Sequence, residues 1–245
     1  MKLSLVLFTL LLFGTNLFAA GHFVDYQINN QTYEGYYISP DADAPLVIMI
    51  HDWDGLTDYE VKRAGMLADL GYAVFATDMF GKGILPTAIA DKKKLTGNLY
   101  QDRAKMRSLL AGAVAAAKAQ GGNIANAVTI GYCFGGTVTL EHARSGAPMK
   151  GFVTFHGGLA TPQGQDYSQT KGKLLILHGT ADASVSMQDF ANLAVELEKN
   201  KISHEMISYS GAPHAFSVFG SKRYHKDADE KSWRRFTEYL NTTLR

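Results

Sequence analysis

The chain holds a single cysteine, Cys133, and it stands among glycines in Gly131-Tyr132-Cys133-Phe134-Gly135-Gly136. A thiol attacks only as the thiolate, so it does chemistry where a base can take its proton and a further group fixes that base. Two residues answer those needs. Asp182 closes His178-Gly179-Thr180-Ala181-Asp182, and His214 sits in Gly211-Ala212-Pro213-His214-Ala215-Phe216. In such a set the histidine accepts the thiol proton and later returns it, while the aspartate holds one histidine tautomer and stabilises the imidazolium. Taken singly, each residue has a plainer role. A free cysteine is commonly a small buried hydrophobe, a loop aspartate commonly caps a helix or makes an Asx turn, and a lone histidine is commonly half-buried and satisfied. The signal belongs to the set.

The elements that would position these residues can be read from the apolar pattern. Ala127-Val128-Thr129-Ile130 before Cys133 is β-like and Thr137 to Ala143 after it is helix-like, which makes a tight strand-turn-helix that lifts a nucleophile out of the sheet. Short, uniformly apolar runs at Leu46–Ile50, Tyr72–Ala76, Phe152–Phe155 and Leu174–Leu177 suit strands buried on both faces of a parallel sheet, and His204–Tyr209 supplies the last strand. Residues 23–39 read as two antiparallel edge strands. Helical spacing is expected over Thr57–Leu70, Gly97–Gln120, Met187–Asn200 and Ser221–Leu240, with a loop and a short helix over 78–96. The alternation predicts an α/β fold with a doubly wound, mostly parallel sheet and helices on both faces. Ligands of such sheets bind at the carboxyl ends of the strands. Cys133, Asp182 and His214 all fall there, in the chain order expected of the α/β-hydrolase fold. The oxyanion of an acyl-transfer intermediate needs two backbone N–H donors, assigned here to Phe134 and to Trp53 in the loop after Leu46–Ile50.

Composition limits the alternatives. The chain has 245 residues, 46% hydrophobic and 19% charged, with 24 Lys and Arg against 23 Asp and Glu. That balance suggests no nucleic-acid or membrane-surface partner. Met1-Lys2, the apolar run Leu3–Phe13 and the small residues ending at Ala19-Ala20 read as a signal peptide over 1–20, cleaved near Ala19/Ala20. The apolar core is too short and too broken to span a bilayer stably. The expectation is export to the periplasm or beyond, with 21–245 forming one domain. A lone thiol in an oxidising compartment cannot form an intramolecular disulfide, which favours a functional role. Eight histidines show no paired metal-ligand spacing, so no metal is expected, and His51, His156 and His178 read as core or supporting residues.

Together with Gly-Tyr-Ala-Val-Phe-Ala-Thr-Asp at 71–78, the three motifs make the chain similar to the dienelactone hydrolase family over essentially its whole length after residue 20. The resemblance implies a Cys-His-Asp triad at Cys133, His214 and Asp182 that hydrolyses a small-molecule lactone or enol ester through a thioester, without metal or organic cofactor. It implies that Asp52 stands where the family has a glutamate that interacts with the resting thiol, one methylene shorter here. It further implies that Lys82 and Val218 stand where the family places arginines around a substrate carboxylate. Lysine keeps the charge without the bidentate fork and valine keeps neither, which leaves Lys222 or Arg223 to supply a replacement. A different class of function, a non-catalytic binding protein on a hydrolase scaffold, is distinguished by a thiol that takes no acyl group. Oligomeric state is not legible.

Overall fold

The computed structural model describes residues 20–245. The expected export signal, up to Ala19, lies outside the described residues. Eight strands join one sheet: β1 (His22–Ile28), β2 (Gln31–Ile38), β3 (Pro45–Ile50), β4 (Ala73–Thr77), β5 (Asn123–Tyr132), β6 (Gly151–Phe155), β7 (Lys173–Gly179) and β8 (His204–Tyr209). Their spatial order is β1-β2-β4-β3-β5-β6-β7-β8. β1 pairs antiparallel with β2 and β2 antiparallel with β4, and every pairing from β4 through β3 to β8 is parallel. The uniformly apolar runs are the central strands because both of their faces are covered. Among the described residues the helices are α1 (Asp58–Ala68), α2 (Ile89–Gln101), α3 (Arg103–Ala119), α4 (Phe134–Arg144), α5 (Met187–Lys199) and α6 (Lys226–Leu244).

Strand alternation sends successive side chains to opposite faces. Leu175 and Leu177 of β7 join Val47, Met49 and Val153 in a layer with Ala64 and Leu67 of α1 and Phe236 and Leu240 of α6. Leu174 and Ile176 join Leu46, Ile48 and Phe152 in the opposite layer, with Ala113 of α3, Leu140 of α4 and Leu197 of α5. The expectation of helices on both faces of a mostly parallel sheet is met.

Two helical boundaries differ from the pattern. The alanine-rich segment expected as one helix from Gly97 is two, broken at Asp102. The Asp102 side chain accepts the Lys105 N–H at 2.8 Å and caps α3, offering the backbone a local alternative to continuing the helix. The terminal helix starts at Lys226 rather than Ser221, where the His225 side chain accepts the Ala228 N–H. Other ends agree with local chemistry. Thr57 and Glu60 form a reciprocal capping box at the start of α1, and Ser186 and Asp189 form another at α5.

The turn from β5 to α4 is the tightest place in the fold. A Cβ on Gly131 would lie 2.1 Å from the Gly135 carbonyl oxygen, one on Gly135 would lie 2.3 Å from the Ile50 carbonyl oxygen, and one on Gly136 would lie 2.3 Å from Thr154 Oγ1. The first two collisions are with backbone, which cannot swing away as a flexible side chain can. We therefore expect Gly131→Ala to destabilise the fold by roughly 3 kcal/mol. Urea unfolding checks this, and a midpoint unchanged from wild type contradicts the packing described.

Candidate active site

Cys133 follows the last residue of β5 and precedes the first residue of α4, with φ 51° and ψ −111°. A non-glycine residue at positive φ costs of order 1–3 kcal/mol and persists only where its surroundings hold it. Here the Cys133 N–H is shared between the Phe155 carbonyl at 3.0 Å and His156 Nδ1 at 3.2 Å. The carbonyl of Cys133 accepts from the Thr137 N–H. Pinned in this way, the thiol faces His214, whose Nε2 lies 3.0 Å from Sγ.

The other ring nitrogen of His214, Nδ1, is 2.8 Å from Asp182 Oδ2. The ionised carboxylate can only accept, so His214 donates from Nδ1 and presents Nε2 as the acceptor for the thiol proton. Asp182 Oδ1 accepts the N–H groups of Ser184 and Val185 at 2.8 and 2.9 Å. The aspartate therefore makes the ordinary Asx turn of a loop residue and orients the histidine with its second oxygen. Burial alone would raise its pKa, but His214 and the two amides outweigh burial and hold it below the usual carboxylate range. All three residues sit at carboxyl ends of strands, and the structure brings them into one chain of contacts.

Asp52 also acts on the thiol. Burial, then the nearby negative charge of Asp52, push the Cys133 pKa well above its ordinary value. The Phe134 N–H, at the start of α4, and Arg223 act in the opposite direction. Asp52 itself is pushed up to about 6, by burial first and then by Asp54. Near neutral pH the resting site thus holds a protonated thiol beside a carboxylate.

Two of the expected residues have other partners in this structure. The Trp53 N–H, assigned as an oxyanion donor, donates to the Asp52 carboxylate. The short aspartate side chain folds back over the next amide, and that donor is occupied until Asp52 turns away. Lys82, assigned near the substrate, is drawn to the other side of its loop. Its Nζ lies 2.6 Å from Asp25 and 3.0 Å from Glu34 on the edge strands, and its backbone N–H donates to the Thr32 carbonyl. These two edge carboxylates pair with the ammonium, and Lys82 is not among the residues that line the cavity over Cys133.

A cavity of about 510 Å³ opens over Cys133 and His214. Its walls include Trp53, Tyr100, Phe134, Leu159, Arg103 and Arg223. Arg223 was anticipated as a replacement cation. Arg103 was missed, because a lone arginine in an amphipathic stretch carries no signal of direction. It is the first residue of α3, directly after the break at Asp102. The guanidinium of Arg103 stands 3.6 Å from Glu141, whose oxygens are already engaged by Arg107 at 2.6 Å and Arg144 at 2.9 Å. It lies 5.1 Å from the centre of the Tyr100 ring. Its Nη1 also lies 3.8 Å from Met106 Sδ. His51, His156 and His178 are fully buried. His51 Nε2 accepts the Met79 N–H at 3.1 Å and ties the β3 loop to the β4 loop. Among the described residues no three His, Cys, Asp or Glu side chains gather as a metal site.

The family model described as "Dienelactone hydrolase family" matches residues 33–244. A protein of Synechocystis sp. named "Putative carboxymethylenebutenolidase" is 26% identical over 86% of this chain and 92% of its own length. Among solved structures, m3DLH superposes with a TM-score of 0.87 at 27% identity, covering 93% of this chain and 100% of that one. A structure titled as a dienelactone hydrolase-like promiscuous phosphotriesterase from metagenomic libraries has a TM-score of 0.85 at 28% identity, covering 92% of this chain and 99% of its own.

The carboxyl of Asp52 generates a pH dependence of definite sign. Its pKa rises on folding from an ordinary 3.8 to about 6, so between those values the folded chain holds a proton that the unfolded chain has released. Stability from this group is fully present below pH 4 and falls as pH rises through 6. Replacing it by a neutral amide, Asp52→Asn, should remove about 3 kcal/mol of the stability difference between pH 4 and pH 7. The same substitution should let iodoacetamide alkylate Cys133 at lower pH, because it removes the charge that opposes thiolate formation. Denaturant titrations at the two pH values and alkylation rates across pH check both statements.

Proposed function

The chain belongs to the dienelactone hydrolase family and is a hydrolase, and we propose that it opens a carboxylic ester or lactone with Cys133 as nucleophile. The observation that carries this reading is the contact chain Cys133 Sγ, His214 Nε2, His214 Nδ1, Asp182 Oδ2, with separations of 3.0 and 2.8 Å across its two hydrogen bonds. In the first step His214 takes the thiol proton and the sulfur attacks the carbonyl carbon. The electron pair of the C=O moves onto oxygen. The Phe134 N–H lies at the positive end of α4 and faces the developing oxyanion. Once Asp52 moves off the Trp53 N–H, a second donor becomes free. Collapse of the intermediate breaks the bond to the alkoxy or enolate oxygen, which leaves with the proton carried by His214. Water, deprotonated by His214, then attacks the thioester and releases the acid and the thiol.

Asp52 explains why such a thiol can rest unreacted. While its negative charge stays beside the thiol, loss of the thiol proton is opposed and one oxyanion donor is covered. A substrate that displaces Asp52 relieves both at once. Arg103 and Arg223 favour a substrate with a carboxylate or another anionic group away from the scissile bond, held by side chains at positions other than Lys82 and Val218. Aromatic walls at Trp53, Tyr100 and Phe134 favour an unsaturated or cyclic body beside it. The pattern of residues 1–20 supports export, so that the hydrolysis takes place outside the cytoplasm.

Incubation with p-nitrophenyl acetate and with an α,β-unsaturated lactone, followed by mass measurement of the intact protein, tests the reading. A transient acyl adduct on Cys133 is expected. Cys133→Ala and His214→Gln should each lower kcat/KM by roughly a thousandfold or more, since triad members act as a unit. Hydrolysis that persists in Cys133→Ala rejects the thiol mechanism, and absence of any adduct favours a binding protein. Arg103→Gln and Arg223→Gln should raise KM for a carboxylate-bearing lactone about tenfold more than for a neutral one. Equal effects on both lactones contradict anion recognition.

A further inference from the structure

His156 follows β6, is fully buried, and has φ 43° in a region that non-glycine residues seldom occupy. Its ring makes two hydrogen bonds in opposite directions. Nδ1 accepts the N–H of Cys133 at 3.2 Å, and Nε2 lies 2.8 Å from Ser217 Oγ. Because Nδ1 faces a backbone donor, the ring proton must sit on Nε2 and be donated to Ser217. Burial, with the nearby His214 and Arg63, keeps the ring neutral and preserves that tautomer.

Ser217 stands three residues beyond His214, on the loop that carries the base. It is held from its far side. Its Oγ pairs with the Tyr59 hydroxyl at 2.9 Å, and its carbonyl accepts from Arg63 Nη2 at 2.9 Å. Arg63 is ion-paired with Asp229 of α6 and lies 4.2 Å from the Phe219 ring centre. The loop is not held by regular structure at this point, and Ala215, next to His214, has φ 60°. Both halves of the thiol-imidazole contact therefore rest on backbone at positive φ, and a single neutral ring spans the two.

We infer that His156 is a positioning residue that, through Ser217, ties the backbone of Cys133 to the loop carrying His214 and so sets the distance between thiol and imidazole. This rests on the reading of Cys133 and His214 as nucleophile and base. Without the bridge, Cys133 keeps its bond to the Phe155 carbonyl and Ser217 keeps Arg63, so the fold persists. What is lost is the link between the two anchored segments. A misplacement of about 1 Å at such a contact costs up to a hundredfold in rate.

The test compares wild type with Ser217→Ala, His156→Phe, the double variant and His156→Gln, which returns an N–H donor toward Ser217. Three quantities are measured: kcat and KM on p-nitrophenyl acetate, the pH profile of Cys133 alkylation by iodoacetamide, and the thermal midpoint. Ser217→Ala and His156→Phe should each lower kcat between about tenfold and a hundredfold with KM within about twofold, and should shift the alkylation profile. The double variant should be no slower than the slower single one, because both remove one bridge. His156→Gln should recover part of the loss. Folded variants that keep kcat and the alkylation profile of wild type overturn the inference, as do losses that multiply in the double variant. If His156→Phe does not fold, Ser217→Ala, which removes one oxygen atom, decides the question. Alkylation reads the thiol-imidazole contact without any ester, so a wild-type protein that hydrolyses nothing defeats the hydrolase reading and leaves the bridge tested.

Discussion

The close approach of backbone to backbone at the end of β5 is the constraint on which the rest of the site depends. Gly131, Gly135 and Gly136 let α4 begin almost against the β3 loop and the residues after β6, at separations that no Cβ could share. That contact forces Cys133 into its strained turn, aims its side chain out of the sheet and sets the start of α4 behind it. Strain at one residue persists because the sheet on one side and the helix on the other are each secured by large apolar layers.

Around that fixed thiol the electrostatics oppose one another. Burial and the Asp52 carboxylate hold the proton on sulfur, while the N-terminus of α4 and Arg223 favour its loss. Asp182, by contrast, is settled as an anion by two backbone amides and by His214. The two aspartates are the same residue type with opposite pKa shifts. The difference lies in their partners: Asp182 accepts hydrogen bonds from His214 and two backbone amides, whereas Asp52 has Asp54 close by and a single backbone donor. One is suited to orient a base and the other to hold a thiol in reserve.

Much of this was legible in the residues. Buried parallel strands appear as short, uniformly apolar runs because both faces are covered, and each such run here is a strand. The β5 turn declares itself through its glycines, which the packing requires. Cys133, Asp182 and His214 could be picked out because the fold places functional residues at carboxyl strand ends, and the chain order alone supplies the sequence of roles. The Thr57 and Ser186 caps are similarly local, each written within four residues.

Other features depend on partners far away in the chain. Lys82 is captured by Asp25 and Glu34, and nothing near Lys82 in sequence says that those edge carboxylates lie closer than the cavity. The Trp53 N–H is occupied because the short side chain of Asp52 folds back onto the next amide of its own loop. Arg103 lines the cavity from the start of α3, where Asp102 breaks a helix that alanine content alone would continue. His156 meets Ser217 across sixty-one residues. Periodicity, glycine placement and strand-end position, which act over a few residues, determined by themselves the element types, the sheet class and the placing of Cys133, Asp182 and His214 at strand ends. The direction of each charged side chain and the identity of its partner were decided only in the tertiary structure, because those depend on which of several distant groups comes within a few ångströms once the layers have packed.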